Sequence, residues 1–147
     1  MLWGTKLVKI HIFGASGSGT TTLAKALSDE LCWTHLDTDD YFWLTKYTEI
    51  RELEERKDLL ERDLNSHGNS ILSGAICGWG DDLKTYFDVV IFLWIPSEIR
   101  LERLEKREFQ RYGNDILAGG LKHEQYKEFM DWARLYDHAG LEVRSRA

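Results

Sequence analysis

Proline is nearly missing from this chain: Pro96 is the only one in 147 residues. That excludes a proline-rich spacer or recognition tract. Cysteine is scarce as well. Cys32 and Cys77 stand far apart, in no metal-ligand spacing, so a disulfide framework is not supported and two reduced thiols are expected. No apolar run reaches membrane-spanning length; the longest, Val89 to Ile95, is far too short. An excess of basic residues is also lacking. Nineteen Lys and Arg against twenty-five Asp and Glu leave a net charge of −6, which argues against a nucleic-acid partner. A locally positive pocket for a phosphate remains open. The five histidines (11, 35, 67, 123 and 138) fall at no ligand spacing and are assigned no chemistry. There are no repeats, no low-complexity tract and no linker, so residues 1–147 are expected to form a single domain. With no leader-like segment ahead of the first strand, a cytoplasmic protein is expected.

What is present alternates. The apolar run within Lys6–Phe13 reads as a strand buried on both faces. Thr20–Leu31 reads as a helix with Leu23, Leu27 and Leu31 on one face. Thr34–Thr38 is a short strand. Thr48–Leu64 has a helical stripe of Ile50, Leu53, Leu60 and Leu64, with Thr48 as N-cap. Ser70–Ala75 and Asp88–Ile95 are the third and fourth strands. Pro96 opens a helix that runs to about Arg111. A glycine-bearing loop over 112–120 precedes a last helix from about Leu121, with Tyr126, Phe129, Met130, Ala133 and Tyr136 at helical spacing. Strands alternating with helices predict an α/β fold of three layers, with a mostly parallel sheet of about four strands flanked by helices. Ligands of such sheets bind beyond the carboxyl ends of the strands.

At the end of the first strand stands Gly14-Ala15-Ser16-Gly17-Ser18-Gly19-Thr20-Thr21. The spacing is that of a phosphate-binding P-loop, G-x-x-x-x-G-K-[ST], in its required strand–loop–helix context. Gly14, Ser16, Gly17, Ser18, Gly19, Thr20, Thr21 and Thr22 are the candidate nucleotide contacts, and the Thr21 hydroxyl is placed for Mg²⁺. The bland alternative is a glycine-rich turn with no ligand. One residue of the motif is absent: Thr20 stands where the lysine belongs. Threonine donates a neutral hydrogen bond and brings no charge. Either another cation replaces the lysine, or phosphoryl transfer is weak or absent.

Arg100, Arg103, Arg107 and Arg111 recur at spacings of 3, 4 and 4, which gathers them on one helix face. Arg103 and Arg107 are the candidates for that cation. The competing reading is a solvated face paired with Glu98, Glu102, Glu105 and Glu108. Asp37-Thr38-Asp39-Asp40 ends the second strand. Asp39 is the candidate base or acceptor anchor and Asp37 the candidate metal ligand. At least one of Asp37, Asp39 and Asp40 is expected to serve only as a cap or turn former. Asp40, Tyr41, Trp43 and Trp79 are candidate substrate contacts, with core packing the alternative for each aromatic. Arg51 is a weaker anion contact, and Lys25 is expected to face solvent.

These features resemble the small P-loop kinases: adenylate, cytidylate, shikimate and gluconate kinase. The resemblance rests on the strand–loop–helix at 7–31, the acidic cluster at 37–40, the strand Phe87–Leu93 and the helix opened by Pro96-Ser97-Glu98-Ile99-Arg100-Leu101-Glu102-Arg103-Leu104. The chain is more closely similar to bacterial adenylate-kinase-like P-loop proteins that share Asp37-Thr38-Asp39-Asp40-Tyr41 and Cys77-Gly78-Trp79-Gly80-Asp81. It implies ATP and Mg²⁺ as cofactors, a lid-like region at about 100–120, and transfer to a small metabolite such as a nucleoside or nucleotide. It also implies a further strand and helix beyond Arg144-Ser145-Arg146-Ala147. Without them the fourth strand would be an apolar sheet edge, covered by the Leu121–Tyr136 segment or by a homodimer. A nucleotide-binding module without transferase activity is the second expectation. A hydrolase is the third, with only Asp81 to position water.

Overall fold

A computed structural model describes residues 6–140. The elements run β1 (Lys9–Gly14), α1 (Thr20–Leu31), β2 (Thr34–Asp37), α2 (Thr38–Phe42), β3 (Trp43–Thr45), β4 (Glu49–Ile50), α3 (Leu53–Ser66), β5 (Ser70–Ser73), β6 (Val89–Leu93), α4 (Ser97–Tyr112) and α5 (His123–Arg134). Single 3₁₀ segments occupy Asp81–Tyr86, Gly113–Ile116 and Leu135–Asp137. The described residues gather into two compact units, one of residues 6–13 and 20–92, the other of residues 14–19 and 93–140.

The central sheet has the order β2-β5-β1-β6, and β5 pairs in parallel with both β1 and β2. It is the mostly parallel, helix-flanked sheet expected. Successive side chains on a strand point to opposite faces, so two neighbours on β5 divide the first unit's core. Ile71 joins Ile12 and Ala24, with Leu23 and Leu27 of α1 packed against them. Leu72 joins Leu36, Leu60, Leu64 and Trp79 on the α3 side. Leu60, Leu64, Ile71 and Leu72 are at most 1% exposed, and each such burial stabilises the fold by about 1.5–3 kcal/mol.

Several boundaries differ from expectation. The first strand begins at Lys9, not Lys6. Leu31, expected on the packed face of α1, is exposed. Thr38 opens α2 where it was expected to end a strand. The helix expected from Thr48 begins at Leu53, because a β3–β4 hairpin fills residues 43–50. The Thr48 N–H closes that turn on the Thr45 carbonyl, and Tyr47 adopts φ +65°. Ile50 and Leu53 are therefore exposed, and only Leu60 and Leu64 of the expected stripe are buried. Gly74, at φ +100°, ends β5 before Ala75.

Among the described residues β6 is an outer strand of the sheet, and Val89, Val90 and Phe92 are exposed. In the second unit α5 packs on α4 around Leu104, Met130 and Ala133. The chain end at Arg144–Ala147 lies outside the described residues.

His11, on β1, is buried between the rings of Phe13 and Phe87. Its Nε2–H donates to the Gly74 carbonyl at 2.7 Å. Burial holds this imidazole below its ordinary value of 6.5. The unfolded chain therefore binds more protons once the pH falls below that value, and stability declines by up to about 1.4 kcal/mol per pH unit. The thermal midpoint should drop between pH 7 and pH 5, and His11→Gln should flatten that part of the profile. Thermal melts of both proteins across the range check this.

A Cβ on Gly74 would lie 1.9 Å from Thr38 Oγ1. Gly74→Ala should destabilise the fold by about 2–4 kcal/mol, from overpacking plus backbone strain. Adding Thr38→Ala should recover the packing part alone, as read by urea unfolding.

Candidate active site

The loop between β1 and α1 is shaped by glycines where side chains would not fit. Gly17 and Gly19 adopt φ +82° and +95°, a region that disfavours every residue with a Cβ. A Cβ on Gly14 would meet the Leu93 carbonyl at 2.3 Å, and one on Gly17 would meet the Arg100 carbonyl at 2.8 Å. Ser18 folds the loop on itself: its N–H and its hydroxyl both donate to the Ala15 carbonyl, at 3.1 and 2.6 Å. The space beside Gly19 is open, for the nearest atom to a Cβ there is Nη1 of Arg103 at 4.0 Å. A left-handed, glycine-lined concavity of this kind suits a phosphate.

Helix α1 follows. Helices α2, α3, α4 and α5 all carry an acidic side chain in the first turn, and α1 carries none. The orphan N–H groups and the positive dipole end at Thr20, Thr21 and Thr22 thus meet no acid in their own turn. Thr21 and Thr22 are exposed. The Thr21 hydroxyl donates to Oδ2 of Asp37 at 3.2 Å. The other oxygen of Asp37 accepts the Asp39 N–H at 3.0 Å and caps α2. One carboxylate is thus both the expected cap and the partner of the P-loop hydroxyl.

Asp39 is half-buried and Asp40 exposed. Tyr41 and Trp79 are core residues, 6% and 8% exposed. The Tyr41 hydroxyl donates to Asp63 at 2.9 Å, and burial with that contact raises its pKa strongly. The Trp79 indole donates to the Ala75 carbonyl. Trp43 is half-buried, edge-on to Phe42 and Tyr47. Arg51 is engaged in holding the chain after α2. It donates to the carbonyls of Tyr41 and Trp43 and pairs with Glu55 at 2.7 Å.

The arginine stripe divides. Arg100, 1% exposed, donates to the Ser16 carbonyl at 3.3 Å, the Ile95 carbonyl at 3.2 Å and Asp137 at 2.9 Å. Arg103 is exposed and donates to the Gly17 carbonyl at 3.3 Å. Arg107 and Arg111 instead share Glu108, at 3.6 and 3.2 Å, and Arg107 lies over the Phe129 ring of α5. Of the four glutamates expected to pair with the stripe, Glu108 does so, whereas Glu102 pairs with Lys106. The sequence reading missed Asp137. Its signal was indirect: Arg100, Leu104 and Glu108 repeat at four residues on the buried face of α4, so a guanidinium at position 100 needs a partner.

These residues fit a magnesium nucleotide. Among the described residues, no three His, Cys, Asp or Glu side chains converge on one metal position. Thr21 and Asp37 offer hard oxygen donors, the kind that Mg²⁺ takes in small number beside water and phosphate oxygens.

The AAA domain family matches residues 10–128. The Bacillus subtilis (strain 168) protein YqaC is 67% identical over 138 residues, covering 94% of this chain and 78% of that protein. Cytidylate kinase of Haloarcula marismortui is 29% identical over 141 residues, with 83% of this chain and 72% of the kinase covered. Cytidylate kinase of Methanocaldococcus jannaschii is 30% identical over 115 residues, with 67% and 64% covered. The chain thus spans just under two thirds of the length of that last relative. Two solved shikimate kinases share the fold at 20% identity. That of Acinetobacter baumannii, in complex with shikimate, gives a TM-score of 0.53 over 83% of this chain and 79% of its own. That of Bacteroides thetaiotaomicron gives 0.54 over 86% and 76%. With the glycine cradle and the Thr21–Asp37 pair in place, a match across residues 10–128 makes this chain a member of the AAA domain family, among the small P-loop NTPase kinases.

Proposed function

We propose that this protein transfers a phosphoryl group from ATP to a nucleoside or nucleotide. The observation that carries the reading is the Thr21–Asp37 hydrogen bond at the head of α1, directly after a glycine cradle. A hydroxyl paired with a carboxylate beside a P-loop supports the reading that these two side chains would hold Mg²⁺. The cytidylate kinases at 29–30% identity support a nucleotide-type acceptor.

In this reading the N–H groups of the loop and of the first turn of α1 bind the donor phosphates. Thr21 and Asp37 hold the Mg²⁺, which would offset charge on those oxygens. Asp39 orients the acceptor hydroxyl or takes its proton, and Asp40 and Trp43 lie in the same acceptor-side segment. Arg103 supplies the positive charge that Thr20 lacks, whereas Arg107, paired with Glu108, does not. The exposed apolar edge at Val89, Val90 and Phe92 leads us to read the working form as a homodimer.

A coupled assay of ADP release over a panel of nucleosides and nucleoside monophosphates should show turnover with at least one acceptor. Thr21→Ala should lower kcat/KM by at least about a hundredfold, through loss of the metal ligand. Intact ATP binding with no turnover on any acceptor would defeat the proposal.

Thr20 favours a second reading, a nucleotide-binding module without transfer, because no ammonium stands at that position. Thr20→Lys separates the two. A gain of activity from an inactive parent supports the binding module, and a loss from an active parent supports a site built without the lysine.

A further inference from the structure

Arg100 is the one fully buried arginine of the described residues, and its hydrogen bonds to Ile95, Ser16 and Asp137 leave it little freedom. It sits at the first turn of α4, with its guanidinium beside the ring of Tyr136. One arm reaches the Ser16 carbonyl of the loop, and another reaches Oδ2 of Asp137. The remaining oxygen of Asp137 accepts the Trp94 indole N–H at 3.2 Å. The carboxylate cancels the charge of Arg100, so this cation cannot stand in for the missing lysine. What remains to it is geometry. Across a trans peptide, the C=O of one residue and the N–H of the next point in opposite directions. Drawing the Ser16 carbonyl toward α4 therefore turns the Gly17 N–H the other way, away from α4.

We propose that Arg100 and Asp137 are a positioning pair for the phosphate-binding loop, fixing the Ser16–Gly17 peptide in its binding orientation before any ligand arrives. Trp94 and the 3₁₀ turn Leu135–Asp137 hold the carboxylate in place. A segment more than a hundred residues downstream thus sets the aim of a loop amide. The ligand arm of the proposal rests on the nucleotide-binding reading above; the loop arm does not.

The test uses the full chain and a pair of substitutions that keeps the interior neutral. Removing one partner would strand a buried charge and can unfold the protein, whereas Arg100→Met with Asp137→Leu replaces the pair by apolar groups of similar size. The double variant should fold with near-native stability. Its Ser18 amide, bonded to the Ala15 carbonyl in the ordered loop, should exchange with deuterium about tenfold faster, and its dissociation constant for inorganic tripolyphosphate with Mg²⁺ should rise about tenfold, the scale expected when a preorganised contact is misplaced. Amides of α1 and β5 should exchange at the wild-type rate. Lys25→Ala, on the exposed face of α1 and outside the pair, should give the wild-type pattern. A folded double variant with unchanged loop exchange would overturn the proposal, as would exchange that accelerates uniformly across the chain. Should the double variant not fold, Arg100→Lys takes its place, and unchanged loop exchange in that protein overturns the proposal equally. Should wild-type protein fail to bind tripolyphosphate, the nucleotide reading falls while the exchange data still decide the positioning pair.

Discussion

A guanidinium 1% exposed to water must have its hydrogen bonds and its counter-charge supplied by the protein. Arg100 imposes that requirement on three places in the second unit at once: the loop at Ser16, the entry to α4 at Ile95 and the turn after α5 at Asp137. None can shift without stranding a buried charge, which costs about 3–5 kcal/mol when one partner is lost. That penalty is comparable to much of a domain's stability. The glycine pattern alone would leave a loop free to take several shapes. A buried ion pair of this kind selects one.

The first unit solves a similar problem with a smaller device. Asp37 carries one oxygen to the Asp39 N–H and the other to the Thr21 hydroxyl. Its orientation follows from the strand it ends and the helix it caps. Gly74, with no side chain, lets Thr38 sit against the end of β5 and so fixes where α2 begins. A carboxylate held at both oxygens needs little reorganisation to meet a cation, which is the preorganisation that electrostatic catalysis draws on.

Local pattern made part of this legible. The continuous apolar run and the glycine spacing specify strand, loop and helix over residues 9–31, because each element's geometry depends on neighbours in sequence. The stripe of Ile50, Leu53, Leu60 and Leu64 shows the opposite. Its period fits a helix throughout, yet only the last two side chains reach the core. Periodicity reports a face and cannot report where burial stops. The aromatic and β-branched residues at Trp43, Thr45, Tyr47, Thr48 and Ile50 favour a hairpin there, and the tight turn at Thr45–Thr48 makes it. Arg100 was legible as part of a stripe but not in its role. Its partner lies 37 residues away, and no sequence spacing encodes that contact. The same applies to Arg51, whose task is to hold two carbonyls across the α2–β3 corner.

The threonine at position 20 is consistent with a loop that must stay ordered while empty. It begins α1, whose positive dipole end meets no acidic side chain in its first turn. A lysine there would place an ammonium against like charge until a phosphate arrived. Threonine removes that repulsion, and with it the strongest fixed charge aimed at the donor. In the proposed reading, recognition then rests on backbone N–H groups held in a preset geometry together with the charge of the exposed Arg103. In a loop of that design, the residues behind the backbone matter as much as the residue missing from its face.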